Sequence, residues 1–157
     1  MQKIYKILLV MMMFAVQTVF VKAATLSTSI LGSSTVEVNG EIVLTFAFES
    51  DEALKQLSAQ LDFDGELLEI VGSPSGLNGF NVVLSAENEI IATLAEGSVG
   101  TVSFMSIRFK AKEMFTIDGT VNVSLSNVRG TLVDSDEVVS GNGSSKLITS
   151  VAPEIIQ

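Results

Sequence analysis

The sequence predicts an all-β domain built as an antiparallel β-sandwich, and three observations lead there. Apolar and polar residues alternate with a period of two, most clearly in Ile42-Val43-Leu44-Thr45-Phe46-Ala47-Phe48-Glu49, which is the pattern of a strand with one buried face. Ten such runs follow one another at roughly ten-residue spacing, divided by Gly, Asn, Asp and Ser. No long amphipathic helical pattern interrupts them, and successive strands without helices bury their faces by packing sheet on sheet.

Taken in order, the chain begins with a different kind of segment. Lys3 and Lys6 precede an apolar stretch from Ile7 to Val21 that only Gln17 and Thr18 break, and Val21-Lys22-Ala23 follows. A basic start, an apolar middle and small residues at the exit make residues 1–23 a secretory signal peptide, cut after Ala23. The competing reading is a permanent membrane helix, because the stretch approaches the ~18 residues that span a bilayer. The small residues at Val21 and Ala23 favour cleavage, and so a secreted, extracellular product with no permanent membrane span.

Strands are then expected near 26–31, 34–38, 41–49, 57–63, 67–72, 80–85, 88–95, 101–112, 119–127 and 146–151. In the third, Ile42, Leu44, Phe46 and Phe48 face inward, and in the fourth Ala59, Leu61 and Phe63 share one side, so Phe46 and Phe63 are expected to be buried. In Thr120–Val128, Val121, Val123 and Leu125 face inward while Asn122, Ser124 and Ser126 face outward. Only Ser50–Gln56 suggests a helical turn. Gly141–Ser145 is loop-like, and residues 152–157 form a short flexible tail.

Charge and composition exclude several functions. The whole chain carries a formal charge of −9. Losing Lys3, Lys6 and Lys22 with the signal takes it to −12 over the remaining residues, a surface that repels phosphate backbones and anionic lipid and so argues against nucleic acid. With no Cys, an exported domain is held by its core rather than by disulfides, and residues 24–151 are long enough to supply one.

Chemistry is sparse. The absence of His and Cys removes the usual general base, thiol nucleophile and transition-metal ligands together, so no catalytic residue is assigned and the protein is not expected to be an enzyme. Asp62-Phe63-Asp64 and Asp134-Ser135-Asp136-Glu137 offer oxygens at alternate positions, but neither has the glycine and distal glutamate of a calcium loop. No metal site or cofactor is assigned. A polysaccharide-binding surface usually stacks sugar rings on Trp or Tyr; here Trp is absent and the single Tyr, Tyr5, leaves with the signal.

Gln60-Leu61-Asp62-Phe63-Asp64-Gly65-Glu66-Leu67-Leu68-Glu69-Ile70-Val71-Gly72 changes pattern halfway, from a half-wet strand through an acidic turn to a denser apolar run. This resembles the cohesin signature. Phe63-Asp64 match its aromatic-Asp pair, Gly65 stands where a proline is common, and Leu68-Glu69-Ile70 match its re-entry into the core. Asp64 is expected to cap the turn by accepting backbone N–H bonds, with Leu67, Leu68 and Ile70 filling the space between two sheets. Ile90–Gly97 is similar to the family's middle strand and its acidic exit, Ile107–Lys112 to its hydrophobic-x-Phe-Lys-x-Lys strand, and Asn127–Gly143 to its long polar excursion.

The resemblance covers roughly residues 26–151 and implies a jelly-roll sandwich of about nine strands. It also implies a non-catalytic role, since cohesins hold dockerin modules on one flat sheet face and need no calcium of their own. By position, the implied partner-binding residues are Gln56, Ser58, Gln60 and Asp62, with Thr93 and Glu96 on the neighbouring strand. The chain has Gln56 and Ser58 where the family commonly has Asn and Asp, and Thr93 where it has an apolar residue; Glu96 is kept. Two other readings stay open beside a dockerin-like protein partner in a polysaccharide-degrading or cell-surface assembly. One is direct carbohydrate binding on the same fold, and the other is a structural subunit that pairs exposed strands with other chains.

Overall fold

The structure is a computed structural model that describes residues 24–154. The expected signal peptide, residues 1–23, and positions 155–157 of the expected tail lie outside the described residues. Nine strands follow in order: β1 (Leu26–Leu31), β2 (Thr35–Glu37), β3 (Glu41–Asp62), β4 (Leu68–Gly76), β5 (Asn81–Leu84), β6 (Glu89–Ala111), β7 (Thr120–Leu132), β8 (Val138–Ser140) and β9 (Ser144–Val151). Among the described residues there is no helix, and hence none long and apolar enough to cross a membrane.

Alternation explains the packing. In β3, Ile42, Leu44, Phe46 and Phe48 are buried as expected, as are Leu57, Ala59 and Leu61 further on. In β7, Val121, Val123 and Leu125 are buried while Asn122, Ser124 and Ser126 are not. These inward rows meet in one core, at whose centre the ring of Phe48 lies 5.8 Å from that of Phe80 and 6.0 Å from that of Phe104. Phe104 is the extra residue of a β-bulge: Phe46 pairs with Met105 but Ala47 with Ser103. A bulge sends two successive side chains the same way, so Phe104 and Met105 are both fully buried.

The two longest strands make the sandwich, because each runs through both layers. The first half of β3 pairs with β1 and with the second half of β6, which also pairs with β4. The second half of β3 pairs with the first half of β6, which carries β5, and on its other side with β7. β7 continues to β9 and β8. The pairings are antiparallel except for β2 with β9 and an isolated bridge between Ser27 and Asn142. The result is the jelly-roll β-sandwich of nine strands that the resemblance implied.

β6 turns its corner at Gly97, whose φ is +75° and where an added Cβ would lie 2.2 Å from the Val133 side chain. Only glycine meets both conditions without strain.

Three expectations need correction. Ser50–Gln56 is extended and belongs to β3. Its helix-like spacing of Asp51, Leu54 and Lys55 loses to tertiary pairing: Leu54 is fully buried and aligned with both Ser98 and Leu132, and Ala53 O accepts the Val133 N–H at 3.0 Å. The polar excursion Asn127–Gly143 contains the end of β7 and all of β8. Phe63 was expected in the core, but it lies one residue past β3 and is only half-buried against it.

The turn after Phe63 forms as the residues require. Asp64 Oδ1 accepts the Glu66 N–H at 2.9 Å, while Asp64 O accepts those of Leu67 and Leu68 at 3.1 and 3.0 Å. Leu68 is then fully buried, and Leu67 and Ile70 pack partly buried against the core. An acidic turn therefore sits between a half-wet strand and a buried one because its carboxylate ties down the backbone that joins them.

Candidate protein-binding face

The layer β5–β6–β3–β7 turns one side to the core and the other to solvent. Since Leu57, Ala59 and Leu61 are buried, the intervening Gln56, Ser58 and Gln60 point outward, and so does Asp62 at the strand's end. Cross-strand register then sets their neighbours. Gln56 is flanked by Thr93 and Thr131, Ser58 by Ile91 and Arg129, and Gln60 by Glu89 and Ser126. β5 extends the first two rows with Asn81 beside Thr93 and Val83 beside Ile91.

Gln56, Ser58, Gln60, Asp62 and Thr93 thus share one surface. Glu96 is exposed but stands apart, in the stretch 94–97 where β6 leaves its pairing with β3 to turn the corner at Gly97. It marks the end of the face rather than its middle.

Several of these side chains are held. Ser126 Oγ donates to Asp62 Oδ2 at 2.9 Å, Gln60 Nε2 donates to Glu87 O at 2.7 Å, and Thr93 Oγ1 reaches Asn81 O at 3.5 Å. A shallow depression of about 450 Å³ lies between β3 and its neighbours, lined by Ser58, Gln60, Glu89, Asn127 and Arg129. Lys55 pairs with Asp136 and ties the β7–β8 turn to β3.

Three residues of the face escaped the sequence reading. Val83 and Ile91 are apolar ladder partners left 58% and 38% exposed. Alternation carried the signal for Ile91, since Ile90 and Ala92 are both inward. Arg129 carried a misleading one. Continuing the phase of Val121, Val123 and Leu125 sends residue 129 inward, yet Arg129 is exposed. Ser58 pairs with Arg129 but Gln60 with Ser126, so an extra residue is taken up in β7. Asn127, at φ +50°, absorbs it, after which Val128 is buried and Arg129 faces out.

The opposite outer face differs in its electrostatics. There Glu41, Lys110 and Glu69 stand side by side across three strands, and Arg108 Nη1 meets Glu41 Oε2 at 3.2 Å. Arg108 is ion-paired there, while Lys110 lies between Glu41 and Glu69 in register without an ion pair among the described residues. On the β5–β6–β3–β7 face, Arg129 has no ion-pair partner among the described residues. The chemistry available there is hydrogen bonding from polar side chains, a cation without an ion pair and with Glu89 in the same depression, and a small apolar patch. Among the described residues, no three acidic side chains cluster so as to hold a metal ion.

No family model matches the chain, and no curated protein matches it in sequence. Solved structures do match in shape. A cohesin module from a family 33 glycoside hydrolase of Clostridium perfringens superposes with a TM-score of 0.69 at 9% identity, covering 83% of this chain and all of that one. A non-cellulosomal cohesin from the archaeon Archaeoglobus fulgidus gives 0.63 at 14% identity, over 80% and 92% of the two chains. A structure of a type II cohesin–X–dockerin complex from Acetivibrio cellulolyticus gives 0.59 at 11% identity, over 82% and 99%. The fold of this chain is that of the cohesin modules.

Proposed function

We propose that this cohesin-fold chain is a secreted, non-catalytic binding module that receives a dockerin-like protein partner on the β5–β6–β3–β7 face. The observation that carries this reading is the make-up of that face. It offers a hydroxyl-rich surface with Val83 and Ile91 exposed toward its β5 side and an Arg129 that has no ion pair among the described residues, a mixture of apolar and polar groups that partner-binding surfaces use. One neighbour of the same fold was solved in a complex with a dockerin. The absence of His and Cys supports binding over catalysis.

Gln56, Ser58, Gln60, Asp62 and Thr93 form the contact surface, and Glu96 borders it. Export follows from residues 1–23: mass spectrometry of the secreted protein should find its N-terminus at Ala24, and a membrane-bound species retaining Met1 would mean an anchor. Partner class is tested by titrating the secreted protein with a panel of dockerin modules in calcium-containing buffer. Saturable binding to at least one supports the reading, and none across the panel opposes it.

A further inference from the structure

The corner where β1 begins is built around the first residues after the expected cut. Ala24 is partly buried against the core, and Leu26 and Ile30 further along are buried in it. β3 holds this end through Asp51, whose Oδ1 accepts the Thr25 N–H at 2.9 Å and whose own N–H donates to Thr25 O at 3.4 Å. The β3 main chain is fixed there in turn, since the buried Ser50 donates its Oγ to Glu52 O at 2.6 Å. On the other side of β1, Leu26 O accepts the Asn142 N–H at 2.9 Å.

A depression of about 490 Å³ opens beside Ala24, lined also by Glu49, Asp51, Gly100, Ser140 and Asn142. Its two charged lining residues are both acids, and β6 and the β8–β9 connection contribute nothing titratable to it. Continuing the β1–β3 register sets Ala24 opposite a third acid, Glu52. Successive backbone nitrogens lie at most about 3.7 Å apart, so the Ala24 nitrogen stands within about 6.6 Å of Asp51 Oδ1.

In the uncut chain that nitrogen is an uncharged amide. Resting on the proposed export, we infer that removing the leader supplies this acidic corner with its cation: the α-ammonium of Ala24 seats against Asp51 and clamps β1 onto β3. Chain ends fray unless tied down, and an opposite charge within roughly 6 Å favours the charged form of an amine. β1 is therefore bound more firmly in the processed protein than in its precursor.

An α-amine that gains a carboxylate partner titrates above its ordinary range of about 7.7–8.0. Its contribution to stability is complete below that range and is lost as pH rises through the raised value. A pH titration of the secreted protein, with the Ala24 methyl followed by NMR, reads this directly. The amine should titrate at least about half a unit above the ordinary range. Asp51→Asn, which keeps an oxygen acceptor for the Thr25 N–H, should return it there. Acetylating the α-amine should lower the thermal midpoint at neutral pH and leave it unchanged at a pH well above that titration. An amine that titrates within the ordinary range, or one whose titration Asp51→Asn does not move, overturns the inference and leaves the export reading intact. A secreted protein whose N-terminus is not Ala24 overturns both.

Discussion

Phe63 meets Phe109 edge to face, with ring centroids 5.2 Å apart and planes at 80°. Phe109 is fully buried in β6, whereas Phe63 closes the core from the strand's end and stays partly exposed. Phe46→Ala empties a site with no exposure and should cost ~3–5 kcal/mol. Phe63→Ala removes less buried area and one aromatic pair, about 1–3 kcal/mol. Urea unfolding of the two variants checks the order, and equal costs would contradict this placement of Phe63.

The corner at Gly97 should be intolerant of a side chain for two separable reasons. Placing alanine in the left-handed region costs ~1–2 kcal/mol, and the methyl would lie 2.2 Å from Val133, adding an overpacking cost of ~1–3 kcal/mol. Gly72 has nearly the same φ, +74°, with nothing within 4 Å of an added Cβ. Gly72→Ala should therefore show the backbone cost alone. Thermal unfolding of the pair isolates the steric part, and a Gly97→Ala variant no less stable than Gly72→Ala would remove it.

How far the residues could be read depended on local phase. Strands with unbroken alternation, such as Ile42–Phe48 and Val121–Leu125, were legible because a period of two needs no knowledge of neighbours. The turn at Asp64 was legible because its carboxylate acts within two residues. Ser50–Gln56 was misread because what fixes it is distant: Leu54 is pinned by Ser98 and Leu132 from other strands. Arg129 was missed because a bulge resets the phase, and a bulge at Asn127 leaves no mark in hydrophobicity. β8 is three residues long, too short for any period to register. Within the candidate site, the polar row on β3 could be placed in advance, while the apolar and cationic ends of its central row needed the register between strands.

Polysaccharide retention should be weak. Among the described residues the face carries no Trp or Tyr, so they provide no such aromatic platform for ring stacking. Affinity electrophoresis in gels containing soluble xylan, and pull-down on cellulose and chitin, should show little or no retardation. Clear saturable binding to any of them would favour the carbohydrate reading.

The most direct test asks whether this face is where a partner sits. Ser58→Arg with Thr93→Lys adds bulk and charge at two outward positions, one beside Ile91 and one beside Gln56, without touching the core. Isothermal titration of a bound dockerin module should show affinity for the double variant reduced by at least ~2–3 kcal/mol relative to wild type, with circular dichroism and thermal midpoint unchanged. An unchanged affinity in the folded double variant would contradict the assignment and move the binding site to another surface of the sandwich.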